Sequence, residues 1–198
     1  MIKAVIFDFG GVVFKNVMKY IYAKTSEKFG MDVLTVRKES KPLLDEWERN
    51  RISSEEFWKL LALKLKISGA ESLQNLWHKT FEENLTPNEK VLQIIEQLKE
   101  RGLKVAVLSN VSEPFGEYHK SKNHYGMFFP VFLSYEIYMA KPDKEIYEHV
   151  VEKMKLKPEE CIFVDDKDDN VIAAKEFGMH AILFESAEQL EKELEKVL

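Results

Sequence analysis

Cysteine is almost absent: Cys161 is the only one in 198 residues, which excludes an intrachain disulfide and a paired-cysteine metal site. It opens an apolar run, so it reads as a buried packing residue, and a reducing cytoplasm suits it. Dense blocks of lysine or arginine are missing too. Acidic residues outnumber basic ones, 34 to 29, for a formal net charge of -5. Nucleic acid and membrane surfaces are therefore poor partners. No apolar stretch approaches the roughly 20 residues that span a bilayer. Met1 leads within two residues into a strand-like segment, so no signal peptide is expected and the cytosol is the expected compartment. There is neither an internal repeat nor a low-complexity tract. What is present is the balance of a globular protein, with 45% hydrophobic and 32% charged residues. The length suits one α/β domain with a modest insertion rather than two large domains.

Four short apolar runs, Ala4 to Phe9, Lys104 to Ser109, Cys161 to Asp165 and His180 to Phe184, lack polar alternation and read as strands buried on both faces. Pro130 to Ser134 is a weaker fifth. Helical patterns lie between them, over about Asn88 to Arg101, Lys144 to Met154, Asp169 to Phe177 and Ala187 to Val197. This alternation predicts an α/β fold, a doubly wound parallel sheet with crossover helices. Start signals agree: Thr86-Pro87-Asn88-Glu89 reads as an N-cap, a first-turn proline and a capping-box acid, and Ser186 with Gln189 repeats the box. From about Asn16 to Leu85 no strand is visible and apolar residues recur at helical spacing, as in Leu43, Leu44, Trp47 and Phe57, Leu60, Leu61. The expected organisation is thus a core of residues 1–15 and 86–198 with a helical insertion, 16–85, of the kind that forms lids. Ser53-Ser54-Glu55-Glu56 is a capping box that starts one of its helices.

Four loci carry chemistry. At the first, Val5-Ile6-Phe7-Asp8-Phe9-Gly10-Gly11, a buried strand delivers a carboxylate to the edge where open α/β sheets bind ligands, followed by glycines that permit close backbone approach. A turn aspartate with companion glycines is the plain alternative. The second, Val107-Leu108-Ser109-Asn110, ends a strand in a hydroxyl and an amide able to donate to phosphate oxygens, although Ser-Asn also makes turns and N-caps. The third is Ala140-Lys141-Pro142-Asp143, where the residue before proline is extended and can present a compact charge, with a solvated lysine as the alternative. The fourth, Phe163-Val164-Asp165-Asp166-Lys167-Asp168-Asp169-Asn170, places adjacent carboxylates at a strand end. They repel one another unless a cation or donors hold them ionised, and a hard divalent ion such as Mg²⁺ suits oxygen ligands. Asp168 and Asp169 are accounted for by a helix N-terminus; Asp165 and Asp166 are not.

In this order, strand-Asp-x-Gly-Gly-Val, strand-Ser-Asn, Lys-Pro-Asp and strand-Asp-Asp resemble the four motifs of the haloacid dehalogenase superfamily, across the whole chain. Ser134 to Asp143 and Phe163 to Gly178 look like its phosphatase branch, and the helical insertion looks like its cap. The resemblance implies a phosphatase of small phosphorylated metabolites, such as sugar phosphates or nucleotides. It gives Asp8 the role of nucleophile, forming an aspartyl-phosphate. Ser109 and Asn110 would bind phosphoryl oxygens, Lys141 would neutralise phosphate and nucleophile, and Asp8, Asp166 and the Gly10 carbonyl would hold Mg²⁺. Asp165 would support that shell, and Asn170 would orient a metal-bound water. The cap turn Trp47 to Ser53 would face the site, which makes Arg49 and Arg51 candidates for substrate contact; at a helical turn both are otherwise solvated.

The resemblance is incomplete at one position. Phosphatases of this family usually carry a second aspartate two residues after the nucleophile, for proton transfer, and here Gly10 stands there. That glycine favours a rival, the dehalogenase branch, which needs no metal; Asp165-Asp166 argues against it. A non-catalytic binding protein on the same fold is the other rival. The five histidines are dispersed, and His119 with His124 lacks a third metal ligand. Monomer and homodimer are equally compatible with the sequence.

Overall fold

The computed structural model describes all 198 residues. The chain opens with β1 (Ala4–Phe7) and runs through α1 (Met18–Phe29), α2 (Val33–Glu48), α3 (Ser54–Lys64) and α4 (Ala70–Asn84). It continues as α5 (Glu89–Glu100), β2 (Lys104–Ser109), α6 (Glu113–Ser121), β3 (Val131–Leu133) and α7 (Ser134–Ile137). The remainder is α8 (Lys144–Met154), β4 (Cys161–Asp165), α9 (Asp168–Glu176), β5 (His180–Leu183) and α10 (Ala187–Val197). No helix is long and apolar enough to cross a membrane.

The strands form one parallel sheet in the order β3-β2-β1-β4-β5. Side chains alternate between its faces, and both faces are apolar. Val5, Phe7, Val105, Val107, Ile162 and Val164 join a cluster completed by α5 and α10, while Ala4, Ile6, Ala106, Leu108, Cys161 and Phe163 join another completed by α8 and α9. This is the expected doubly wound arrangement, with Cys161 fully buried. Strand order reverses between β1 and β4, a switch point of the kind that opens a ligand crevice at the carboxyl edge.

Helices α1 to α4 gather a separate cluster that contains all three tryptophans. Trp47 stacks on Phe57 at 4.0 Å between ring centroids, and the Trp77 indole N–H donates to Thr25 Oγ1 at 3.0 Å. The box before α3 forms as read: Ser53 Oγ accepts from the Glu56 N–H and the Glu56 carboxylate accepts from the Ser53 N–H.

Two start signals turn out differently. Helix α5 begins at Glu89, not under a Thr86 cap, because residues 86–88 are stitched to the loop after β1. Lys15 N–H donates to the Thr86 carbonyl at 2.9 Å, Asn88 N–H donates to the Val13 carbonyl at 2.8 Å, and Pro87 bridges Phe14. Tertiary pairing has claimed the backbone groups a cap would have used. Before α10, Ser186 Oγ caps the Gln189 N–H, but the Gln189 side chain accepts from the Glu185 N–H rather than that of Ser186.

His119 and His124 bond each other, Nδ1 to Nδ1 at 2.9 Å. One ring must donate and the other accept, so at least one is neutral. His119 is buried edge-on to Phe9, with ring centroids 4.9 Å apart. Burial, reinforced by His124, pushes its pKa down to about 3. The unfolded chain protonates this residue below roughly pH 6.5 while the native state does not, so its contribution is intact above that pH and lost as pH falls. Urea unfolding of the wild type is expected to show a loss of about 2 kcal/mol from this group between pH 7 and 5. His119→Phe should flatten that part of the slope; an unchanged slope would contradict the assignment.

Candidate active site

Register brings the first and fourth loci together. Phe7 pairs with Val164, so Asp8 and Asp165, each one residue on, stand side by side at the carboxyl edge of the sheet, and the Asp8 N–H donates to the Val164 carbonyl at 2.8 Å. Lys141 reaches this point from the loop before α8. Its Nζ lies 2.6 Å from Asp8 Oδ1, 2.7 Å from Asp165 Oδ2 and 2.8 Å from the Leu108 carbonyl, with 3% of the residue exposed. All three ammonium protons have acceptors. The alternative of a solvated lysine is thereby excluded.

Burial disfavours every charge here, and the outcome depends on partners. Burial pushes the Asp8 carboxyl above the ordinary carboxylate range, with the Lys141 ammonium pulling against it and Asp165 adding repulsion. For Lys141 burial works against the cation, but the Asp165 and Asp8 carboxylates outweigh it and hold its pKa above the ordinary lysine value.

Asp165 is saturated. Besides Lys141 it accepts from the Lys167 N–H at 2.9 Å, and the Asn170 amide donates to both of its oxygens at 3.0 Å. Asn170 is itself anchored through its carbonyl, which accepts from Tyr147 Oη at 2.9 Å. The Asn170 amide thus holds Asp165 in place. Asn110 is similarly engaged, its Oδ1 accepting from the Lys141 N–H at 2.9 Å and its Nδ2 donating to the Lys141 carbonyl at 2.8 Å. These two bonds form a reciprocal clamp that positions Lys141. Ser109 is buried at the end of β2, one residue beyond the Leu108 carbonyl that receives Lys141.

Asp166 contrasts with Asp165. Its Oδ1 is buried and has no hydrogen-bond partner, and burial followed by Asp165 raises its pKa. One carboxylate oxygen from each of Asp8, Asp165 and Asp166 lies within 4.8 Å of the others. Gly11 lies against this group at φ 122°, where an added Cβ would fall 2.3 Å from Asp166 Oδ2. Gly10 faces open space.

The two arginines part company. Arg49 is buried, not solvated: its Nε donates to Asp45 Oδ1 at 3.1 Å and its Nη1 bonds Asp143, two residues past Lys141. Arg51 is exposed and pairs with Glu46 at 3.1 Å. Each guanidinium is engaged by carboxylates, Arg49 by Asp45 and Asp143 and Arg51 by Glu46. Two residues passed over in the sequence bear on the carboxylate cluster. Lys167, exposed, exerts its charge on Asp8, Asp166 and Glu48. Its position beside two strand-end carboxylates was a readable signal. Glu48, at the end of α2, carried no signal in helical periodicity.

The family of haloacid dehalogenase-like hydrolases matches residues 2–178, and the chain belongs to that hydrolase family. Among its relatives, sesquiterpene phosphatase astK of Aspergillus oryzae is 31% identical over 181 residues, 89% of this chain and 87% of that protein. D-ribitol-5-phosphate phosphatase of Bacteroides thetaiotaomicron is 27% identical, over 100% of this chain and 99% of that protein. Another relative is far longer, and the chain spans 37% of it. A HAD family enzyme of Bacteroides thetaiotaomicron, solved with magnesium and inorganic phosphate, superposes with a TM-score of 0.69 at 24% identity, covering 96% of this chain and 99% of that one.

The glycine pair makes a local test. Gly11→Ala must displace Asp166 and strain the backbone, and is expected to cost about 1–3 kcal/mol in urea unfolding. Gly10→Ala meets no atom and should change stability by less than about 1 kcal/mol, toward stabilisation. Equal effects would contradict the packing described.

Proposed function

We propose that the protein is a Mg²⁺-dependent phosphoric monoester hydrolase in which Asp8 is the nucleophile. The observation that carries this reading is the buried Lys141 ammonium shared by Asp8 and Asp165, beside an Asp166 oxygen with no partner. A buried carboxylate oxygen left unbonded is costly unless something absent from the protein itself satisfies it. The donor set is all oxygen and anionic, which fits a hard divalent cation held by Asp8, Asp166 and the Gly10 carbonyl. Bound there, Mg²⁺ would supply Lewis-acid charge to the phosphoryl oxygens.

The chain's own residues do the rest. Asp8 Oδ attacks phosphorus, the ester bond to the leaving oxygen breaks, and water later releases phosphate from the aspartyl ester. Lys141 offsets the repulsion between the carboxylate and the incoming phosphate, and Ser109 donates to a phosphoryl oxygen. Asn110 and Asp165 are positioning residues that aim Lys141, and Asn170 aims Asp165. Helices α1 to α4 form the cap over this edge, as residues 16–85 of the expected division. A dehalogenase would share Asp8 but gives no reason for the unbonded oxygen of Asp166.

The substrate is a small phosphorylated metabolite. The two phosphatase relatives are named for a terpenoid and for a sugar alcohol phosphate, and a phosphate on an alcohol oxygen is what those names share. A panel of sugar phosphates, nucleotides and prenyl phosphates, assayed with and without Mg²⁺, is expected to give phosphate release only with the cation. Asp8→Asn should lower kcat by about four orders of magnitude. Persistent hydrolysis in that variant, or cation-free halide release from a 2-halo acid, would contradict the reading.

A further inference from the structure

The reaction just described leaves one proton unassigned. An alkoxide is a poor leaving group, yet Gly10 has no side chain and the Lys141 protons are all bonded to Asp8, Asp165 and Leu108. The geometry points to Glu48, at the end of α2, as the acid that protonates the leaving oxygen and then as the base that activates water. This assignment rests on the phosphatase reading.

Glu48 stands on the seam between the helical segment and the sheet. On one side, Trp47 is stacked into the helical cluster against Phe57. On the other, Arg49 reaches across to Asp143, in the loop that carries Lys141, and the Asn50 amide donates to the Tyr135 carbonyl at 3.4 Å. Successive helical residues are about 100° apart, so Glu48 lies between these two directions. The end of α2 is therefore pinned against the loop that delivers the catalytic lysine.

The neighbouring carboxylates on the same helix are engaged, Asp45 with Arg49 and Glu46 with Arg51. Glu48 has neither an ion pair nor a hydrogen bond, although it is partly buried. The groups around it are Lys167 from the turn before α9, Lys141 from the loop before α8, Asp45 and Arg49 on its own helix, and Tyr22 on α1. Lys141 and Lys167 act on Glu48 as they act on the carboxylate cluster. Burial raises its pKa, with Lys167 opposing and Asp45 adding to the shift. A carboxyl raised in this way keeps more of its acid form near neutral pH, as proton donation requires.

The bookkeeping of atoms closes. As Asp8 bonds to phosphorus, the P–O bond to the alcohol breaks and the Glu48 proton passes to that oxygen. The resulting Glu48 carboxylate takes a proton from the water that attacks the aspartyl-phosphate, the P–O bond to Asp8 breaks, and Glu48 is protonated again.

The test compares phenyl phosphate with p-nitrophenyl phosphate, esters of similar shape with a poor and a good leaving group, in wild type, Glu48→Gln and Asp8→Asn, with thermal unfolding recorded for each. In Glu48→Gln, kcat/KM is expected to fall about a hundredfold for phenyl phosphate and less than tenfold for p-nitrophenyl phosphate. A burst of nitrophenolate should appear as water attack becomes limiting. Formate should restore activity to Glu48→Ala. Equal losses on both esters, or a raised KM with kcat retained, would overturn the assignment and make Glu48 a substrate-binding or structural residue. Turnover surviving in Asp8→Asn would instead overturn the phosphatase reading itself.

Discussion

One buried ammonium organises the site. Lys141 Nζ is within 2.8 Å of Asp8, Asp165 and the Leu108 carbonyl, and so ties β1, β2 and β4 together at the carboxyl edge of the sheet. Removing charges from water carries a penalty that attraction offsets only when the geometry is good and every remaining polar atom is bonded. That condition is met by supporting residues: Asn110 clamps the lysine backbone, and Asn170 and the Lys167 N–H complete Asp165. Asp166 is the exception, with one buried oxygen unbonded. A buried oxygen left unbonded directs attention to its residue, and Asp166 brings a carboxylate oxygen within 4.8 Å of those of Asp8 and Asp165.

The helical segment is joined to this edge by a second charged contact. Arg49 leaves the end of α2 and bonds Asp143, two residues beyond Lys141. One loop thus receives the clamp from Asn110 on one side and the arginine on the other. In the α1 to α4 cluster Trp47, Phe57, Trp58 and Trp77 pack edge and face, and Phe115 and Tyr118 of α6 pack against it. A segment with its own core, held to the sheet edge at the end of α2, is suited to presenting side chains to a site it does not build.

Much of this was legible in the sequence, and what was missed has a common physical cause. Strands buried on both faces announce themselves as continuous apolar runs, so β2 and β4 fall where the runs begin and end, and local signals such as the Ser53 box before α3 are short-range by nature. Asp8, Lys141, Asp165 and Asp166 stood at strand ends or beside proline and converge. Less visible was how a polar side chain would be used once distant segments met. Asn110 and Asn170 were read as facing phosphate and a metal-bound water, and nothing in the sequence indicated that they bond Lys141, 31 residues away, and Asp165. Arg49 was read as a substrate contact or else solvated, because helical spacing carries no trace of Asp143, 94 residues on. Thr86 lost its cap because Val13 and Lys15 pair with that stretch of backbone. Periodicity reports which face is buried; it does not report who waits there.

The central claim is that the Asp8 carboxylate, held by Lys141 at the sheet edge, takes the phosphoryl group itself. Acid quench during turnover of a phosphate ester in the presence of Mg²⁺, followed by peptide mass spectrometry, tests it directly. The account predicts the added mass of one phosphoryl group on Asp8. A phosphoryl group on any other residue, or steady turnover with no covalent adduct on the peptide that carries Asp8, would contradict it.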